Sequence, residues 1–300
     1  MRNLQLFLKK IKRGYYLLVF LFISCVCSKY YSITGYDYKK ITKYTDTKDI
    51  DVSDLSYVSV CDGVDVARLE NTSIPLIITV ARVWLKNKNL SIVGTEKEKF
   101  NKKGWVKAEN TLSFARTSSS DLSVNANFFT YKCSFLDKFY KPLGLFVSNG
   151  KILSFPLKDF SMLIFDNKNC AKIIREGVVE SDVVWGIAGY NKVIEKGKVT
   201  LEGISKKRDS RTLIGLDEGA EYLFILCVDG EFKRRSRGAT LMEATNIFKD
   251  IGIFEGMELD GGGSSALVVK IDGKAHQLVP SSKRQFRRLA TNIGFIVGKD

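Results

Sequence analysis

Glu258 and Asp260 stand two residues apart, and Gly261, Gly262, Gly263, Ser264 and Ser265 follow them directly, with apolar residues on both flanks. In extended chain alternate side chains share a face. Both carboxyls therefore point the same way, with Cα atoms about 6.6 Å apart. Paired carboxyls at about 5–5.5 Å or about 6.5–9.5 Å perform acid–base and nucleophilic work on acetal-like bonds. The spacing lies at the boundary between the two geometries and leaves the stereochemical outcome open. An ion pair on a strand face is the competing explanation of Glu258. The flanks predict strand, glycine turn, strand over residues 257–269. Three glycines exceed what a tight hairpin needs. They allow close backbone approach, and their successive N–H groups could form an anion site. A β-prone run, with neither a helix nor a lysine, follows the glycines, which excludes a nucleotide P-loop. A surface loop or a packing-driven turn would use the same residues.

Other chemistry-bearing groups are few. His276 is the single histidine, so a histidine-rich zinc site is excluded. No G-x-S-x-G elbow supports a triad around it, and a surface or strand-end position after Asp272-Gly273 is expected. Asp229-Gly230 reads on pattern alone as a hairpin turn. Asn127 ends an apolar run ahead of Phe128 and Phe129, where it would either cap a turn or orient a sugar hydroxyl. Arg211, Arg237 and Arg288 offer planar forks that suit a phosphate.

Several of these pieces occur together in a known order. Asn125-Ala126-Asn127-Phe128-Phe129, Arg211-Thr212-Leu213-Ile214-Gly215, Cys227-Val228-Asp229-Gly230 with Arg237-Gly238-Ala239-Thr240-Leu241, the stretch 258–265, and Arg288 to Gly294 resemble the motifs of the phosphodiester glycosidase family. Asn127 stands where many members have glycine, and Leu289 where a proline is common. The resemblance runs from about Ser56 to the C-terminus and implies hydrolysis of sugar-1-phosphodiesters to free sugar and phosphomonoester. It implies Asp260 as the acid–base or electrostatic carboxylate with Asp229 or Glu258 as partner. It implies sugar or phosphate contacts from Asn127, Arg211, Gly230, Arg237, Gly261, Gly262, Gly263, Ser264, Ser265, Arg288 and Asn292. A non-catalytic surface lipoprotein binding anionic glycan, and an enzyme of cell-envelope polysaccharide, are the alternative readings. No cofactor is expected. A divalent cation on Asp carboxylates stays open, although the sequence has no EF-hand loop.

The N-terminus reads as an export leader. Arg2, Lys9, Lys10, Lys12 and Arg13 precede an apolar run over residues 15–23, too short to span a bilayer that needs about 20 residues. Phe22-Ile23-Ser24-Cys25 resembles a relaxed bacterial lipobox, with residues 1–24 removed and Cys25 acylated. Simple cleavage or a retained anchor are the alternatives. Residues 25–55 are expected to tether a domain spanning 56–300 to the membrane of a bacterial cell envelope.

Composition bounds the rest. The 300 residues carry a net charge of +14, and loss of five basic leader residues leaves +9. Basic surfaces draw anionic partners, but no RNA-stacking, zinc-finger or helix-turn-helix pattern accompanies the charge, so nucleic acid is not an expected partner. The expected partners are a sugar-1-phosphodiester or anionic glycan, and a membrane through the lipid anchor. With Cys25 acylated, five cysteines remain without a CxxC pair, which supports neither zinc nor a redox dithiol. Cys227, within an apolar run, is expected to be a small buried hydrophobe.

The fold class is α+β, a strand-rich mixed sheet with a few helices. Strands are predicted within 74–85, 122–129, 143–147, 160–165, 222–228, 266–271 and 293–297, with hairpin turns at Asn149-Gly150 and Asp272-Gly273. Thr240 and Glu243 form a capping box for a helix that Gly252 stops.

Overall fold

The computed structural model describes residues 41–45, 50–131, 138–175, 177, 179, 181–201, 206–230, 235–279 and 287–298. The leader, Cys25 and most of the expected tether lie outside the described residues.

Seven β-prone runs become strands close to where the sequence places them: Leu76–Trp84, Leu122–Asn125, Phe146–Ser148, Ser161–Phe165, Tyr222–Val228, Leu267–Ile271 and Asn292–Val297. They fall in three of the four sheets among the described residues, which have nine, five, five and three strands. In the largest, Val64–Asn71, Leu76–Trp84, Tyr222–Val228, Arg211–Leu216 and Glu255–Glu258 are successive antiparallel neighbours. In the second, Leu122–Asn125 lies between Leu267–Ile271 and Asn292–Val297. Only two α-helices, Thr111–Ser118 and Leu241–Asp250, occur among the described residues. The fold is therefore more β-dominated than the expected α+β balance.

The two faces of the large sheet differ chemically. Ile78, Val80, Leu213, Leu226 and Val228 form a core with Leu241, Ala244 and Phe248 of the second helix. That helix starts as expected, with Thr240 and Glu243 in a reciprocal capping box, and Gly252 adopts φ +102° after it. The other face carries the cross-strand row Arg68, Thr79, Cys227 and Thr212. All four are buried. Arg68 Nη1 donates to Thr79 Oγ1 at 3.0 Å, and Thr212 Oγ1 donates to Asn125 of the second sheet at 3.2 Å. Buried polar groups keep hydrogen bonds because losing them is costly. Cys227 sits in this row as the expected buried thiol, its pKa pushed well up by burial.

Asn149-Gly150 and Asp272-Gly273 have positive φ at both residues and close hairpins, the geometry that matches strand twist. Asp229-Gly230 does not follow them, since neither residue has positive φ. His276 is mid-strand opposite Val269 and buried, which corrects the expected surface or strand-end position. The short helix Thr111–Ser118, capped by Asn110, is an element the sequence reading missed.

The folded region begins before residue 56. Ile41 is buried, Thr42–Thr45 pairs in parallel with Val64–Asn71, and Ile50, Val52 and Leu55 pack on the helix-side core. Apolar residues spaced through a polar, charged stretch escaped a reading based on periodicity. Tyr38–Asp300 forms one compact unit.

Candidate active site

The triglycine segment is not a hairpin. Glu255–Glu258 belongs to the large sheet and Leu267–Ile271 to the second, so Leu259–Ala266 carries the chain from one sheet to the other. Gly262–Ser264 forms a single 3₁₀ turn on the way. The crossing is clamped from both sides. Leu259 N–H donates to Thr212 O at 2.9 Å and Gly262 N–H to Ser210 O at 2.8 Å. On the opposite side Asn125 Nδ2 donates to Asp260 O at 2.6 Å, and Asn125 Oδ1 accepts from Ala266 N–H at 3.0 Å.

This clamp fixes Asp260 at the end of the Glu255–Glu258 strand. Burial raises its carboxyl pKa to about 6, against the pull of the Ser264 hydroxyl and the Arg287 charge. The Glu258 charge pushes it up further, and the Gly261 N–H pulls it down. Two of the expected residues thus interact electrostatically. Glu258 is itself buried, and its pKa is raised by burial, partly offset by Asn191 and Arg211. Asn191 Nδ2 donates to its Oε2 at 2.7 Å and Arg211 Nη1 to its Oε1 at 3.3 Å. The rest of the Arg211 fork donates to Ala239 O at 3.1 Å and Lys207 O at 2.9 Å. Arg211 therefore positions Glu258 and neighbouring backbone.

The register separates Asp229 from this pair. Leu213 faces Glu258 across the ladder and Arg211 faces Val228, so Glu258 and Val228 share a face and Asp229 points to the other. There Asp229 Oδ2 lies 4.0 Å from Arg68 Nη2. Asp229 belongs to the buried polar row and is no partner for Asp260. A Cβ on Gly230 would come within 2.4 Å of Ser210 N, so that glycine serves backbone packing.

The other expected contacts divide clearly. Asn127 spends both amide hydrogens on Leu143 O and Leu145 O, each at 2.9 Å, and its Oδ1 accepts from Thr291 at 3.1 Å. It holds the 143–145 segment and does not address a sugar. Asn292 is fully buried and accepts from Thr111 Oγ1 at 2.7 Å, so it too is scaffold. Ser265 is buried against Thr212 at 3.0 Å. The N–H groups of Gly262, Ser264 and Ser265 are taken by Ser210, Gly261 and Gly262 carbonyls. Three donors of the expected row are thus occupied, two by the 3₁₀ turn itself and one by Ser210, and the Gly261 N–H is turned to Asp260. Gly261 and Gly262 lie instead against Ser210 O and the Asp209 carboxylate; Gly263 is at the half-exposed apex. Ser264 is buried beside the Asp260 carboxyl. Arg237 pairs with Glu243 at 3.8 Å, at the helix start.

Arg287 and Arg288 are both exposed, and Arg287 lies over the Phe129 ring at 5.5 Å. Of the two adjacent arginines, Arg287 is the one whose charge acts on Asp260. Tyr190 and Asn191 were also missed. Tyr190 N–H donates to Glu258 O at 3.1 Å. Its ring meets Phe160 at 5.2 Å and Phe128 at 6.3 Å, both edge-on, and it is nearly half exposed. An aromatic cluster carried by the residue that pairs with the Glu258 backbone is suited to the apolar face of a sugar ring. Among the described residues no group of three or more His, Cys, Asp or Glu is arranged to hold a metal.

The phosphodiester glycosidase family profile matches residues 119–296, a span that contains every element of this arrangement from Asn125 to Asn292. The chain belongs to the phosphodiester glycosidase family. Among solved structures it is similar to the catalytic domain of zebrafish N-acetylglucosamine-1-phosphodiester α-N-acetylglucosaminidase, auto-inhibited by its pro-peptide, at 17% identity and TM-score 0.55, covering 85% of this chain and 87% of that one. A hypothetical protein from Synechocystis gives 14% identity and TM-score 0.55 over 81% of this chain, which spans 64% of that protein's length. A Burkholderia pseudomallei protein described as exported gives 12% identity and TM-score 0.52, over 75% of each chain. At these identities the structures share the fold. No curated protein matches the chain. Of the phosphodiester glycosidase motifs, Asn125 and Thr212 clamp the crossing that carries Asp260.

Proposed function

We propose that this phosphodiester glycosidase hydrolyses the bond between a sugar's anomeric carbon and a phosphodiester oxygen. The observation that supports this most is the Asp260 carboxyl, raised to about 6 by burial, acting beside Glu258 and Arg287. Water attacks the anomeric carbon, its proton passes to ionised Asp260, and the carbon–oxygen bond to phosphate breaks. A phosphomonoester leaves with the bonding pair and free sugar remains. Phosphate is a weak base, so its departure needs little proton help. A base with pKa near the working pH is effective for activating the water. Glu258, held by Asn191 and Arg211, supplies negative potential to the developing positive charge on the sugar. Arg287 would grip the phosphate, and Tyr190 with Phe128 and Phe160 would pack on the sugar.

The leader is read as that of an exported lipoprotein, cleaved before Cys25, with acyl chains anchoring the enzyme to a bacterial cell-envelope membrane. Its basic start, short apolar run and Cys25 support this. The test of the activity is incubation with a panel of sugar-1-phosphodiesters while free sugar and phosphomonoester are both quantified. Equimolar appearance of the two is expected. Saturable binding with neither product would replace hydrolysis with glycan binding.

A further inference from the structure

A second feature lies away from the carboxyl pair. A cavity of about 930 Å³ is lined by Lys97, Lys102, Lys103, Lys141 and Lys151, with Glu98 the one acidic side chain among its lining residues. Lys102, Lys103, Lys141 and Lys151 make no ion pair with any described residue. At its rim the large apolar side chains Ile152, Phe155 and Leu157 stand in solvent, Phe155 at 74% exposure. The three fall on the Lys151–Ser154 strand and the loop that follows it.

This cavity borders the aromatic cluster around Tyr190, since Leu143 N–H donates to Phe128 O at 2.8 Å and Phe160 N–H to Leu157 O at 3.2 Å, but neither residue of the carboxyl pair lines it. Thr130 and Lys141 pair across the Phe129–Tyr131 and Phe139–Pro142 hairpin and line the cavity. Their neighbours Phe129, Tyr131 and Tyr140 cluster together, with Arg287 over Phe129. Alternating residues of a strand face opposite sides, so these two strands turn Thr130 and Lys141 to the cavity and their aromatic side to Arg287.

We propose that this face docks on an anionic membrane surface, with lipid phosphates at the lysine-lined cavity and Phe155 and Leu157 inserted beneath the headgroups. Two observations point to the same occupant. Clustered unpaired lysines attract an anionic leaflet. Exposed aromatic and aliphatic tips gain by leaving water for the acyl boundary. A soluble sugar phosphate would match the lysines and leave Phe155 and Leu157 in water, so a lipid surface satisfies both features where a glycan satisfies one. The docking is independent of Cys25 and of the proposed hydrolysis. Its consequence is orientation: a protein held on the envelope by its N-terminus would also lie down on one face.

The experiment uses the compact unit Tyr38–Asp300, which lacks the leader, and vesicles of phosphatidylcholine with or without phosphatidylglycerol. Co-sedimentation with the anionic vesicles alone is expected, and added salt should release the protein. The double variant Phe155→Asp/Leu157→Asp, changed only at exposed positions, should lose about tenfold or more in partitioning. In a separate Phe155→Trp variant, compared with the unsubstituted unit, anionic vesicles should blue-shift the added emission and brominated acyl chains should quench it. Equal sedimentation with neutral vesicles, or undiminished binding by the double variant, would overturn the proposal. So would capture of a soluble anionic polysaccharide without vesicle binding, which would reassign the cavity to glycan.

Discussion

The side-chain amide of Asn125 donates to the backbone carbonyl of Asp260 at 2.6 Å, joining the first motif of the chain to the last acidic one across two sheets. The same side chain accepts from Thr212 and Ala266. One buried amide thus ties the start of one strand, the end of another and the crossing between sheets. The position of the proposed catalytic carboxyl is set by this residue more than by the glycines beside it.

Asn125→Ala removes one group and leaves several buried partners unsatisfied, each worth about 1–3 kcal/mol. A stability loss of roughly 3 kcal/mol is expected in urea unfolding, with activity falling in step as Asp260 loses its support. A stability change below about 0.5 kcal/mol would show that the clamp is not needed.

Asp260 carries a stability signature of its own. Its folded pKa of about 6 lies above the ordinary 3.8, so the folded state holds the proton more tightly. That contribution is present below about pH 3.8 and is lost as pH rises through about 6. Asp260→Asn should therefore be more stable than the native chain above pH 6, by on the order of 2–3 kcal/mol, and level with it in acid. Thermal unfolding across pH measures this, and a variant less stable at neutral pH would contradict the assigned burial.

Arg211 and Glu258 form a buried pair whose guanidinium also serves two carbonyls. Removing one member of such a pair typically costs about 3–5 kcal/mol. Arg211→Met should approach that loss, and Arg211→Lys should recover little, since a lysine cannot bridge three acceptors in one plane. Full recovery by lysine, read in the same denaturation assay, would mean the fork geometry is unimportant.

The phosphate assignment distinguishes two adjacent arginines. Arg287→Ala should raise KM for a sugar-1-phosphodiester about 10- to 100-fold with a smaller change in kcat, the size expected for a charge-assisted contact. Arg288→Ala, whose charge does not act on Asp260, should stay within about twofold. The reverse order in steady-state kinetics would assign the phosphate to Arg288.

Much of this is legible in the amino-acid sequence. Thr240, Glu243 and Gly252 encode a helix through purely local hydrogen bonds and backbone freedom, and the structure builds it as written. Glu258 and Asp260 could be paired because strand periodicity fixes their relation. What failed was long-range. No pattern within the chain indicates that Asn127 would meet the carbonyls of 143 and 145, or that Asp229 would turn toward Arg68, because both depend on which strands become neighbours. The glycine triplet misled for a related reason. A turn's internal hydrogen bonds depend on where its flanking strands go, and here they go to different sheets. Tyr190 and Asn191 carry no local signal for a site, and only the pairing of the neighbouring strands brings them to Glu258.

The most direct test of the central claim is the pH dependence of kcat/KM on a turned-over sugar-1-phosphodiester, for the native chain and Asp260→Asn. The rate should rise with pH through a limb near 6 as Asp260 ionises, with simultaneous release of sugar and phosphomonoester. In Asp260→Asn the limb should vanish and the rate fall by about 10²–10⁴. An unchanged limb and near-native turnover in Asp260→Asn would contradict the assignment of Asp260 as the base.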